Sequence, residues 1–120
     1  MDKVVIVDDD RVFRELLKTV LQMEGYQPVA CTQPDQVLDT VQAEQPALVL
    51  MDVHIHNQDT LGTLRALKTD PELKDIPVVM TSGMDRSDEC LETGADAFVL
   101  KPFRPSQLLD IISRLIDASG

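Results

Sequence analysis

The chain has 120 residues, 43% hydrophobic and only 3% aromatic, and its 11 basic against 21 acidic residues give a formal net charge of −10. That length fits one domain, residues 1–120, with a core of its own. The charge would repel a phosphate backbone and few rings are present to stack on bases, which argues against direct nucleic-acid binding. No apolar run reaches the roughly 18 residues of a membrane span and no signal peptide precedes the first apolar stretch, so the expected setting is cytoplasmic, with no membrane partner.

Strand-like and helix-like segments alternate along the whole chain. KVVIV (3–7) is the short β-branched run of a parallel strand covered on both faces. Val12, Phe13, Leu16, Leu17, Val20 and Leu21 then recur at helical spacing, with Gly25 as the stop. PVAC (28–31) reads as a second strand, and Pro34 opens a helix whose inner face holds Val37, Leu38 and Val41 and which ends before Pro46. ALVLM (47–51) is the third strand, and Leu61, Leu64 and Leu67 mark a third helix closed by TDPE. IPVVMT (76–81) is the fourth strand, DRSDECLET (85–93) a short, poorly amphipathic helix stopping near Gly94, and AFVL (97–100) the fifth strand. Pro105 opens a last helix with Leu108, Ile111, Ile112, Leu115 and Ile116 inward. Cys31 and Cys90 are too few for a disulfide framework and read as buried thiols.

Five strand–helix units predict an α/β fold, a parallel sheet with right-handed crossovers and helices on both faces. In such sheets ligands gather at the carboxyl ends of the strands, where strand order reverses. Those ends carry Asp8, Asp9 and Asp10 after the first strand, Asp52 after the third, Ser82 after the fourth and Lys101 after the fifth. If the first and third strands are neighbours, their ends lie about 5 Å apart. Two carboxylates about 4 Å apart repel by roughly 4 kcal/mol at an effective dielectric of 20, so a cation must offset them. An oxygen-rich set suits magnesium, and Lys101 adds a fixed positive charge. A carboxylate, a metal, a lysine and a hydroxyl are the parts that stabilise a transferring phosphoryl group, which makes phosphoryl transfer onto a carboxylate the natural reading.

Two other readings stay open at this level. Asp52, His54 and His56 form D-x-H-x-H, which in an extended segment could hold zinc or manganese by its imidazoles and carboxylate. VVIVDDDRV also fits the D-x-D of haloacid dehalogenase-like phosphatases, with Asp8 as nucleophile and Asp10 as acid; taken alone, Asp10 reads as the cap of the first helix.

VVIVDDDRVFRELL, LVLMDVHI, VVMTSG and GADAFVLKPF, in that order and spacing, resemble the receiver domain of two-component response regulators over essentially the whole chain. The resemblance implies a flavodoxin-like three-layer fold with strand order 2-1-3-4-5. It makes Asp52 the phosphoacceptor, with Asp8, Asp9, Asp52 and the backbone carbonyl of His54 holding magnesium, for which manganese substitutes, and Lys101 contacting the phosphoryl group. Ser82, rather than Thr81, matches the switch hydroxyl, Phe98 the aromatic that follows it, and Lys101–Pro102 a cis bond. His54 and Met84 match positions that tune phosphoryl lifetime. The implied partners are a histidine kinase or histidine phosphotransfer domain and a downstream target or output domain, with a phosphorylation-dependent dimer. The expected activity is that of a signalling phosphoacceptor with self-phosphorylation and autodephosphorylation only, either standing alone or cut from a larger regulator or hybrid kinase. A receiver fold that no longer takes phosphate is the interaction-only variant, against which the complete acid, hydroxyl and lysine set argues. Three departures stand out: His56 where proline is common, Thr60 where glycine is common, and a stretch from Ser82 to Lys101 about one helical turn short, which predicts a trimmed fourth helix.

Overall fold

Parallel backbone pairing organises the computed structural model, which describes residues 2–119. The elements are β1 (Lys3–Val7), α1 (Arg11–Met23), β2 (Gln27–Cys31), α2 (Val37–Glu44), β3 (Leu48–Asp52), a hairpin of β4 (His54–Ile55) and β5 (Gln58–Asp59), α3 (Leu61–Thr69), β6 (Val78–Ser82), α4 (Ser87–Thr93), β7 (Ala97–Leu100) and α5 (Pro105–Ser119). The main sheet runs β2-β1-β3-β6-β7, all pairs parallel. Setting the small hairpin aside, that is the expected 2-1-3-4-5 order of a flavodoxin-like fold.

Alternation along the strands builds two cores. Val5, Val7, Val49, Met51, Val78 and Met80 pack with Val37 and Val41 of α2, Leu64 and Leu67 of α3 and Cys90 of α4. Val4, Ile6, Leu48, Leu50, Val79 and Val99 pack on the other face with Leu17 and Leu21 of α1 and Leu108 and Ile112 of α5. Of the periodic apolar set in α1, Val12 and Leu16 stay largely exposed. Both cysteines are buried free thiols, Cys31 at the end of β2 and Cys90 in α4. Among the described residues no helix is long and apolar enough to cross a membrane.

Element edges moved where backbone chemistry requires it. Pro77 cannot donate to a ladder, and β6 begins after it and runs through Ser82, which therefore lies within the strand rather than beyond it. β3 likewise ends on Asp52. Pro34 opens a short 3-10 turn, Pro34–Gln36, that leads into α2, and Gln45 closes α2 in the left-handed conformation (φ 46°) just before Pro46. Asp85 stays outside α4 and accepts bonds from the Ser87 amide (3.0 Å) and hydroxyl (2.6 Å), so that helix has only seven residues. The trimmed fourth helix is thus present. The β4–β5 hairpin is an element that the sequence pattern did not announce.

Gly94 ends α4 at φ 115°, a conformation that side chains resist, and a Cβ there would lie 3.1 Å from Lys68 Cγ. Lys68 cannot readily give way, because its Nζ donates to the Ile76 carbonyl (3.0 Å) and to Asp96 Oδ2 (2.9 Å), which also accepts from the Val78 amide (2.8 Å). Gly94→Ala is expected to destabilise the protein by about 2 kcal/mol, measured by urea unfolding, from the sum of left-handed strain and the displaced lysine.

Candidate functional site

Sheet register brings the polar strand ends together. Val7 lies opposite Met51, so Asp8 and Asp52 follow side by side; Asp52 lies opposite Thr81, and Ser82 opposite Leu100, so Lys101 follows at the far side of the same mouth. Lys101 is held there by its amide, which donates to the Ser82 carbonyl (2.8 Å), and its bond to Pro102 is cis as expected. Its Nζ bridges the two acids, 3.1 Å from Asp8 Oδ2 and 2.8 Å from Asp52 Oδ2.

Asp8 is 2% exposed. Burial raises its pKa, with a smaller push from the Asp52 charge, against lowering by the Asp10 amide and by Lys101. For Lys101 burial is the largest single influence and pulls down, but the bonds and charges of Asp52 and Asp8 together outweigh it and hold the ammonium above its ordinary value. The lysine is thus firmly charged, and the acid pair depends on it.

The other two acids of the run do different work. Asp10 Oδ1 accepts from the Phe13 amide (3.1 Å) and caps α1, as the sequence suggested. Asp9 Oδ2 accepts from the His56 amide (2.9 Å). Among the described residues no three His, Cys, Asp or Glu side chains converge closely enough to hold a metal as they stand. Lys101 occupies the space between two of the expected ligands, and the His56 amide engages the third.

The hairpin explains both anomalous residues of the loop. His56 (φ 51°) and Asn57 (φ 62°) are the central pair of a two-residue turn with both residues left-handed. Proline could adopt neither that φ nor offer the amide that Asp9 uses. Thr60 is fully buried, and its hydroxyl donates to the Asp52 carbonyl (2.7 Å) while its amide donates to the Val53 carbonyl (2.8 Å). It therefore anchors the backbone of Asp52, which a glycine, with no hydroxyl, could not do.

The Thr60–Val53 bond makes that pair hydrogen-bonded, so by alternation His54 and Asp59 form a non-bonded pair. The amide and carbonyl of His54 therefore both face away from β5, and the amide donates to Asp52 Oδ1 (3.1 Å). The imidazoles diverge: His54 Nε2 lies 3.3 Å from Arg86 Nη1, and His56 Nε2 lies 3.1 Å from the Thr32 carbonyl. The imidazole–carboxylate metal site that D-x-H-x-H would offer in an extended segment is not formed, because the left-handed turn carries the second ring away from the first.

Arg86 was not singled out by the sequence. It donates to Glu89 (2.7 and 2.8 Å) and to Asp59 Oδ2 (2.9 Å), tying the hairpin to the start of α4. Bonds to Glu89 first and Asp59 second hold its guanidinium more strongly charged than usual. Ser82 is 1% exposed and its Oγ accepts from the Met84 amide (3.1 Å). Phe98 lies opposite Met80, two residues before Ser82, so the ring and the hydroxyl share the α4 face of the sheet while Thr81 lies on the other. Met84 is exposed beyond the pocket.

A family model described as the response regulator receiver domain matches residues 4–113. Over 109 residues the chain is 37% identical to the probable transcriptional regulator ycf27 of Cyanophora paradoxa, covering 88% of this chain and 44% of that protein. Over 110 residues it is 31% identical to the phosphate regulon transcriptional regulatory protein PhoB of Escherichia coli K12, covering 89% of this chain and 48% of that protein. The chain thus spans about half the length of these relatives. The signal receiver domain of a signal transduction histidine kinase from Syntrophus aciditrophicus has the same fold at a TM-score of 0.89 and 28% identity, over 98% of this chain and 92% of that one.

A carboxyl whose folded pKa is raised contributes stability that is present below its ordinary value and is lost as the pH rises from there through the folded pKa, so at higher pH Asp8 is a net cost to the fold. Asp8→Asn keeps an oxygen for the Asp10 amide and leaves Lys101 its closer partner, Asp52. The variant is expected to melt higher than the unmodified protein at neutral pH, with the gain fading as the pH falls below the folded pKa of Asp8; thermal melts across pH check this.

Proposed function

The chain belongs to the response regulator receiver family, and from that premise we propose that Asp52 accepts a phosphoryl group from the phosphohistidine of a histidine kinase or phosphotransfer protein. The observation that carries this is the Lys101 ammonium bridging Asp8 and Asp52 at the carboxyl ends of neighbouring strands. An Asp52 carboxylate oxygen attacks phosphorus, the P–N bond of the donor breaks, and the imidazole leaves with the electron pair. Lys101 stays charged throughout and balances the charge that builds on the phosphoryl oxygens.

The donor set fits magnesium. Asp8, Asp9 and Asp52 are carboxylates at one mouth, and the His54 carbonyl, turned away from β5, adds a fourth oxygen, with no nitrogen or sulfur among them. When bound, the ion supplies positive charge toward the phosphoryl oxygens, and manganese can replace it. For the ion to enter, Asp9 exchanges its bond from the His56 amide and Lys101 shifts from its bridging position.

Phosphorylation adds negative charge at Asp52. The Ser82 hydroxyl turns from the Met84 amide toward it, and Phe98, on the same face, takes up the vacated space. The change is read on α4, β7 and α5, where Leu91 and Leu100 are half exposed, by an output domain, a separate target or a second copy. The seven-residue α4, pinned through Arg86, makes that surface smaller and ties it to the loop after Asp52. The activity is that of a signalling switch, with self-phosphorylation from small donors and slow autodephosphorylation. Met84 and His54 set how long the phosphoryl group survives.

Intact mass after incubation with a small phosphodonor and magnesium is expected to show one added phosphoryl group, absent in Asp52→Asn and at least about tenfold slower to form in Lys101→Ala. Met84→Glu is expected to shorten its lifetime by orienting water and His54→Ala to lengthen it. Continuous phosphate release that survives Asp52→Asn but is lost in Asp8→Asn would instead mark a phosphatase.

A further inference from the structure

Only three phenylalanines occur in the sequence, and two of them meet at Lys101. The Lys101 Nζ lies 4.1 Å from the centroid of the Phe13 ring, over its face. Phe13 in turn packs against Phe103 with centroids 5.6 Å apart and planes at 78°, an edge-to-face contact that fixes the tilt of the ring. An ammonium over an aromatic face is attracted by the ring quadrupole, and more strongly where water is excluded. Asp8 and Asp52 take two of its three N–H donors, and the ring offers a partner for the remaining side.

We propose that Phe13, backed by Phe103, is a positioning residue that holds the Lys101 ammonium beside Asp52 for phosphoryl transfer, including when it leaves its bridging position between Asp8 and Asp52. The first turn of α1 is built for this. Asp10 caps the helix through the Phe13 amide, so the acidic run supplies Asp8 as a partner for the lysine and Asp10 as the fixed point for the ring. Phe103 follows Lys101 by two residues, across the cis Lys101–Pro102 bond, so the lysine and the backing ring come from one short segment. The ring is also the one partner of the ammonium that carries no formal charge. When the carboxylates engage other cations, the ring face remains and keeps the ammonium from swinging out to solvent. A hollow lined by Phe13, Leu16, Lys101, Pro102 and Phe103 lies beside the pair, and without the aromatic face it would open further toward the lysine.

This rests on Asp52 as acceptor and Lys101 as its charge partner, and adds that the rate depends on the π face of Phe13 rather than on its volume. In the full-length protein, replacing Phe13 by mono-, di- and trifluorinated phenylalanine weakens the quadrupole stepwise at nearly constant shape. The phosphorylation rate with a small phosphodonor and magnesium is expected to fall in the same steps, by roughly three- to tenfold in total, with little change in melting temperature. Phe13→Leu should fall at least as far, and Phe13→Tyr should retain most of the rate. The NMR signal of the Lys101 ammonium should broaden or shift along the series. A flat rate with an unchanged ammonium signal across the series overturns the proposal. If the unmodified protein takes up no phosphoryl group at Asp52, the functional reading fails separately; the ammonium signal then decides, a stepwise change upholding the Phe13 contact and a constant one overturning it.

Discussion

One half-buried ammonium between two carboxylates sets the terms for the rest of the molecule. The sheet order places the ends of β1 and β3 side by side, and each ends in an acid. Burial raises the pKa of Asp8 and so favours its neutral form. Lys101, delivered by β7 from the other side of β6, works against the rise that burial imposes on Asp8, and the two acids in turn hold its ammonium above its ordinary value. The two apolar cores hold the sheet from both faces without help from this close arrangement of charges.

The loop after Asp52 controls the same set from above. A left-handed turn at His56 and Asn57 gives Asp9 an amide to bind, Thr60 fixes the Asp52 backbone, and Arg86 connects the far strand of the hairpin to α4. Every departure from the common receiver pattern therefore falls along one continuous path from the acidic pocket to the fourth helix. His56 and Thr60 form its pocket end, and the seven-residue α4 its far end.

Much of this was legible in the amino-acid order, because strands covered on both faces leave uninterrupted apolar runs and four of the five runs stop at polar residues at one edge of the sheet. Asp8, Asp52 and Lys101 could be picked out that way and do meet. Asp9 could be picked out too, yet it turns to the His56 amide instead, because a backbone donor from a distant loop leaves no periodic trace. The hairpin stayed hidden since its strands have two residues each and its turn uses His and Asn where glycine would have signalled a positive φ. Arg86 stayed hidden for a related reason: its partners Asp59 and His54 lie in another element, and an arginine before a short acidic helix looks like ordinary surface charge. Phe13 looked like one more apolar position of α1, and only the fold puts Lys101 over its ring.

Mapping the modified residue tests the central claim most directly. Borohydride reduction of the protein after reaction with a small phosphodonor converts an aspartyl phosphate to homoserine, and peptide sequencing by mass spectrometry locates it. The expected result is conversion at Asp52 alone, with Asp8, Asp9 and Asp10 unchanged. Conversion at Asp8, or at no aspartate of the pocket, would contradict the account.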